Sequence, residues 1–140
     1  MNISARVRNR DGEHQATVTT NGAAQTIAIP PKSSGFGSSA NGGELLFLAL
    51  ATCYCNDIYR EAARQGIRVE QVEIEVAGQF GTPGEPAAHV TYRARVDADA
   101  PEAEFRDLML RTDAMAEVQN TLRVATPVAL DDVEAVSAQS

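Results

Sequence analysis

Apolar and polar residues alternate near the start of the chain and again beyond position 70, with one long apolar stretch of helical character between. Ile3, Ala5 and Val7 alternate with Arg6, Arg8 and Arg10, and Asp11-Gly12 supplies a turn before residues 15–20. Asn21-Gly22 is a second turn signal, leading into residues 25–29, which Pro30-Pro31 closes. Three antiparallel strands are predicted. The glycine- and serine-rich residues 32–43 carry little apolar surface and read as a mobile loop, a lid in which Phe36 could close over a pocket. A helix of about twenty residues follows, closed by Gly66 after basic residues in its last turns.

Beyond the helix, residues 71–76 and 89–96 alternate again and predict a second hairpin with one buried face, His89 and Tyr92 forming a surface pair on it. Asp99, Pro101 and the acids after them open a further helix through Phe105, Leu108, Met109 and Thr112. A short helix at 116–121 and an edge strand near 128–133 complete the prediction. The fold class is α+β, an antiparallel sheet packed on a long helix, in one domain over residues 1–140. That helix is too apolar for a lone small domain, which argues for burial in a homodimer.

The only two cysteines, Cys53 and Cys55, lie inside the apolar helix. Successive helical residues turn by about 100°, so the two thiols point about 200° apart and cannot share an environment. Cys55 shares its stripe with Leu48, Ala51, Thr52, Tyr59 and Ala62, without a charge, and is expected to be core. Cys53 sits where an apolar stripe meets Asn56, Asp57, Arg60 and Arg64, and is the reactive candidate. Asp57 opposes a thiolate there. Arg60 supports one if its side chain reaches back toward the helix start.

The net charge of −7, with scattered basic residues, argues against nucleic acid and anionic membrane as partners. The apolar run is about half the length of a membrane span, and the first residues lack a signal core, so a soluble cytoplasmic protein is expected, its thiols kept reduced between turnovers. Cys-x-Cys on a helix with only His14 and His89 elsewhere does not converge on one ion, so no metal is expected.

Glu44-Leu45-Leu46, an alanine-rich turn, then Cys53 and Tyr54, preceded by a Gly/Ser-rich loop and N-terminal strands, resembles the OsmC/Ohr family of thiol-dependent peroxidases. The resemblance extends over nearly the whole chain. It implies an intertwined homodimer in which the helix presents a peroxidatic cysteine, here Cys53, near the interface. It also implies reduction of organic hydroperoxides with electrons from an external thiol or a lipoyl-type dithiol, and no cofactor.

Other parts of the family pattern differ in this chain. The family's second, resolving cysteine lines up with Ala116 and the proline after it with Glu117; its catalytic glutamate lines up with Gly43, leaving Glu44 one position late; its arginine falls at Gln15 or Ala16. A sulfenic acid on Cys53 would therefore wait for an external thiol or for Cys55, which is badly placed because a disulfide needs Cβ atoms within about 4.5 Å. Two other functions stay open: a dimer that binds a small hydrophobic ligand without turnover, and a scavenger of electrophiles that uses Cys53 and Cys55.

Overall fold

The computed structural model describes residues 1–138 and contains, in order, β1 (Ile3–Arg10), β2 (Glu13–Thr20), β3 (Ala23–Ile27), α1 (Gly42–Arg64), β4 (Arg68–Gln79), β5 (Ala88–Asp99), α2 (Glu102–Met115) and α3 (Glu117–Arg123). This is an α+β chain with two sheets and three helices. It divides into two compact units, one formed by Met1–Leu48 with Ala77–Val90, the other by Ala49–Val76 with the described residues from Thr91.

In the first unit β1, β2 and β3 make an antiparallel sheet in that order. Gly12 and the pair Asn21-Gly22 turn the chain with positive φ, which sets the registers Val7↔Ala16 and Ala16↔Ile27. Strand alternation then puts Ile3, Ala5, Val7, Ala16, Val18 and Ile27 on one face. Of these only Ala16 is buried, while Ile3 is 61% and Val7 63% exposed. The apolar face is thus made but left largely uncovered, and Arg6, Arg8 and Arg10 line the opposite, solvated side of β1.

The loop predicted to be a mobile lid is a pinned one. Asn9 donates to the Gly37 carbonyl at 3.1 Å and accepts from its N–H at 3.0 Å, while Lys32 N–H donates to Gly37 and Ser39 N–H to Pro30. Backbone and side-chain hydrogen bonds replace the apolar packing this stretch lacks. Phe36 points outward at 69% exposure and covers nothing.

α1 begins with a reciprocal cap: Glu44 N–H donates to Asn41 Oδ1 at 2.9 Å and Asn41 Nδ2 donates to Glu44 Oε1 at 2.7 Å. It ends where Gly66 takes φ 68° and Ile67 N–H reaches back to the Ala62 carbonyl. In the second unit Tyr54, Ile58 and Ala62 of α1 pack with Phe105 and Leu108 of α2, against Val72, Ile74, Ala94 and Val96 from the inner faces of β4 and β5.

Three expectations need correction. The edge strand near 128–133 does not form: the chain after Arg123 has no helix or strand among the described residues, and Val128 and Leu130 are almost fully exposed. Pro127 lacks a donor and Asp131-Asp132 disfavour a strand. Asp99 does not cap α2; it ends β5, and Pro101 takes the cap position without a side-chain bond. Cys55 is not fully buried: the buried residues of α1 are Leu50, Tyr54, Asp57, Ile58 and Ala62, and Cys55 lies half-buried at the margin of that stripe, between buried Ala62 and exposed Thr52 and Tyr59.

Leu108 is 1% exposed at the centre of the second unit's core. Leu108→Ala is expected to cost about 2–5 kcal/mol, read as a lower urea midpoint with unchanged m-value.

Candidate active site

Burying Tyr54 and Ile58 fixes the roll of α1, and Cys53, one step back from Tyr54, then lies at the edge of the buried stripe. Its Sγ meets the beginning of α3. The thiol donates to Asp57 Oδ2 at 3.6 Å, one turn along the same helix, and lies 4.0 Å from Glu117 Oε2. Gln119, buried on α3, donates its Nε2 to the Leu50 carbonyl of α1 at 2.9 Å and so ties the two helices together next to the thiol. Its Oε1 is buried without a partner among the described residues.

The electrostatics oppose ionisation of this thiol. Burial pushes Cys53 up from the ordinary thiol range, Asp57 and Glu117 add negative charge that raises it further, and only the Val118 N–H works the other way. Burial likewise raises the Asp57 carboxyl, with Glu117 adding to the effect and Arg60 opposing it.

Arg60 does not turn to the sulfur. Its Nη1 holds Asp57 Oδ1 at 2.8 Å and its Nε holds Glu61 at 2.9 Å, while Arg64 holds the same Glu61 carboxylate at 3.0 Å. Glu44 spends its carboxylate on the Asn41 cap. Cys55 is half-buried, a free thiol like Cys53, and helical geometry directs it away from its neighbour. The candidate residues therefore separate: Cys53 gathers Asp57 and Glu117, Arg60 supports Asp57 from behind, and Glu44 and Cys55 stand apart in other roles.

Gly43, which the resemblance sets in line with a catalytic glutamate, is covered by an aromatic ring. A Cβ there would meet Phe80 Cε2 at 2.7 Å, and Phe80 stacks on Phe47 with centroids 5.7 Å apart. Ala116, in line with the resolving cysteine, is fully buried immediately before Glu117.

Cys53 Sγ and a carboxylate oxygen each from Asp57 and Glu117 lie within 4.8 Å of one another, the one group of such donors among the described residues that could hold a metal ion. One soft sulfur and two hard oxygens fit neither a Cys/His zinc site nor an all-oxygen calcium or magnesium site, and Arg60 already neutralises Asp57.

Sequence reasoning missed a second polar cluster in the same unit. Tyr92, expected on the surface, is half-buried; its hydroxyl donates to Asp113 Oδ1, to which Arg123 Nη2 also donates at 2.7 Å. Tyr54 donates to the Met109 carbonyl at 2.7 Å and meets Tyr92 edge-on at 5.0 Å. Tyr92 shares the alternating face of Ala94 and Val96, opposite Arg93 and Arg95, and that pattern is the sequence signal that it turns inward. Tyr54, Tyr92 and Asp113 line an open groove of about 690 Å³ between β5 and α2, together with apolar Ala94, Val96, Phe105 and Met109 and charged Asp97, Glu102 and Arg106.

With this geometry in view, residues 35–131 match the OsmC-like protein family, and the chain belongs to it. Its structure is similar to an OsmC-like protein from Mycoplasma pneumoniae at 19% identity and TM-score 0.58, covering 87% of this chain and 86% of that one. An OsmC-like protein of unknown function from Vibrio cholerae gives 15% identity and TM-score 0.58 over 86% of this chain and 93% of that one. A third structure, described as an organic hydroperoxide resistance protein and predicted redox protein from Legionella pneumophila, gives 19% and 0.50 over 84% and 89%. A comparison with curated protein sequences finds no match. Among the described residues no helix is long and apolar enough to cross a membrane.

Burial, with the Asp113 charge adding to it, pushes the Tyr54 hydroxyl up to about 12. A group raised on folding contributes stability that is fully present below its unfolded pKa, about 10 for tyrosine, and is lost as the pH climbs through the folded value. Melting temperature is therefore expected to fall between pH 10 and about 12, and Tyr54→Phe to flatten that fall in a series of thermal scans.

Proposed function

We propose that this OsmC-like chain reduces organic hydroperoxides through Cys53, acting in the cytoplasm as a homodimer without cofactor. The carrying observation is the placement of the Cys53 sulfur against the beginning of α3, beside the position where the family resemblance sets the second thiol. A thiol at a partly open helix edge, with hydrogen-bonding neighbours, can attack the distal oxygen of a hydroperoxide and release an alcohol. Ala116 offers no sulfur, so the sulfenic acid on Cys53 is taken by an external monothiol or a lipoyl-type dithiol and returned to the thiol. The uncovered apolar face of β1–β3 supports the homodimer, since Ile3 and Val7 are large, exposed and on the same face of β1 with Ala5 between them.

One observation favours a second reading. The groove lined by Tyr54 and Tyr92 is in the size range of small-molecule sites, and its apolar lining residues, Ala94, Val96, Phe105 and Met109 among them, suit an apolar body with polar groups at Asp97, Glu102, Arg106 and Asp113. Under that reading the chain is a dimer that binds a small hydrophobic ligand without turnover.

The first experiment is intact-mass analysis of reduced protein after near-stoichiometric cumene hydroperoxide, with peptide mapping of both cysteines. Oxygen addition at Cys53, lost in Cys53→Ser and kept in Cys55→Ser, is expected. An unchanged mass would remove the peroxidase reading and leave the ligand-binding one.

A further inference from the structure

The peroxidase reading leaves a chemical problem, because burial and the carboxylates of Asp57 and Glu117 favour the protonated sulfur, with only the Val118 N–H against them. Asp57, Arg60 and Glu61 face the region from α1, and Glu117 and the Val118 N–H face it from α3; of these only Arg60 is a cation, and it is engaged by Asp57 and Glu61. An attack at neutral pH therefore starts from S–H, and the proton must go somewhere as the sulfur–oxygen bond forms.

The two oxygens of Asp57 divide the task. Oδ1 is held by Arg60 at 2.8 Å and Oδ2 faces the sulfur at 3.6 Å, on a residue only 4% exposed. A buried carboxylate oriented from behind by a guanidinium, with its free oxygen on the S–H, has the arrangement of nucleophile, base and orienting group. Glu117 is less suited. It is exposed, sits on a seven-residue helix and reaches the sulfur only at 4.0 Å.

We infer that Asp57 is the catalytic base for Cys53 and Arg60 its positioning residue, an inference that rests on the peroxidase reading. As Sγ attacks the distal oxygen of an alkyl hydroperoxide, the S–H bond breaks toward Asp57 Oδ2 and the S–O bond forms. The O–O bond then gives its electron pair to the departing alkoxide, which takes the proton from Asp57. The products are Cys53 sulfenic acid and an alcohol: sulfur loses two electrons and the peroxide gains them. The assignment places a carboxylate from the cysteine's own helix at the thiol, in a chain whose Gly43 lacks the family's glutamate.

The test has opposite signs for its two outcomes. Single-turnover reaction with cumene hydroperoxide and alkylation by iodoacetamide would be followed at pH 7 for the wild type, Asp57→Asn and Glu117→Gln. Asp57→Asn is expected to slow the hydroperoxide reaction about a hundredfold while speeding alkylation, because loss of the negative charge lets the thiol ionise more readily. Glu117→Gln is expected to speed both. If Asp57→Asn reacts with hydroperoxide as fast as the wild type or faster, Asp57 is only a brake on the thiolate and the inference falls, with the peroxidase reading intact. If the wild type is alkylated at Cys53 yet does not react with hydroperoxide, both fall.

A measurement on the wild type alone guards against a variant that fails to fold. A base mechanism gives a hydroperoxide rate that rises with Asp57 ionisation, above the ordinary aspartate range, and then stays level to pH 8. A tenfold rise per pH unit across pH 6–8 would mean that preformed thiolate reacts, and would overturn the assignment.

Discussion

The roll of α1 about its own axis is the constraint on which the rest depends. Tyr54 and Ile58 must be buried against the inner faces of β4 and β5, and an α-helix has no freedom to point a single residue elsewhere once two of its neighbours are committed. That choice carries Asp57 under the surface and leaves Cys53 at the margin. It leaves Cys55 half-buried at the opposite margin. The pairing of a thiol with a carboxylate follows from core packing, one turn of helix apart, before any demand of chemistry is considered.

The consequence is a thiol with an unusual surrounding for a nucleophile. Reactive cysteines ordinarily sit near positive charge, which stabilises the thiolate. Here the nearby cation is spent on neutralising Asp57, and the two closest charged groups are carboxylates. Burial and the two carboxylates all favour the protonated sulfur, so a hydroperoxide reaction through Cys53 calls for a group that accepts the proton as the new bond forms.

Much of this was legible in the residues. Turn dipeptides marked the first sheet, the apolar run and Gly66 bounded α1, and the mixed stripe around Cys53 singled out the thiol that meets α3. Legibility failed where a tertiary contact decides between two apolar faces. The stripe of Cys55 has no charge and reads as core, yet it is buried only at Ala62, and the buried side of the helix extends through Ile58 and Tyr54 to Asp57, because Tyr54 and Ile58 outweigh a single acid whose charge Arg60 can meet. Partners far apart in sequence were equally hidden: nothing local announces that Gln119 bonds the Leu50 carbonyl or that Tyr92, Asp113 and Arg123 form one cluster. The tail after Arg123 failed for a different reason, since its valines and leucine suggest a strand while a strand requires an edge to join.

The ring of Phe80 over Gly43 makes the small size of that residue a packing requirement. A Cβ at position 43 would need the space that the ring fills, so any larger residue there requires the half-exposed aromatic to swing aside and give up its stacking on Phe47. The glycine and the aromatic pair form one packing unit, and a change at either is felt at the other.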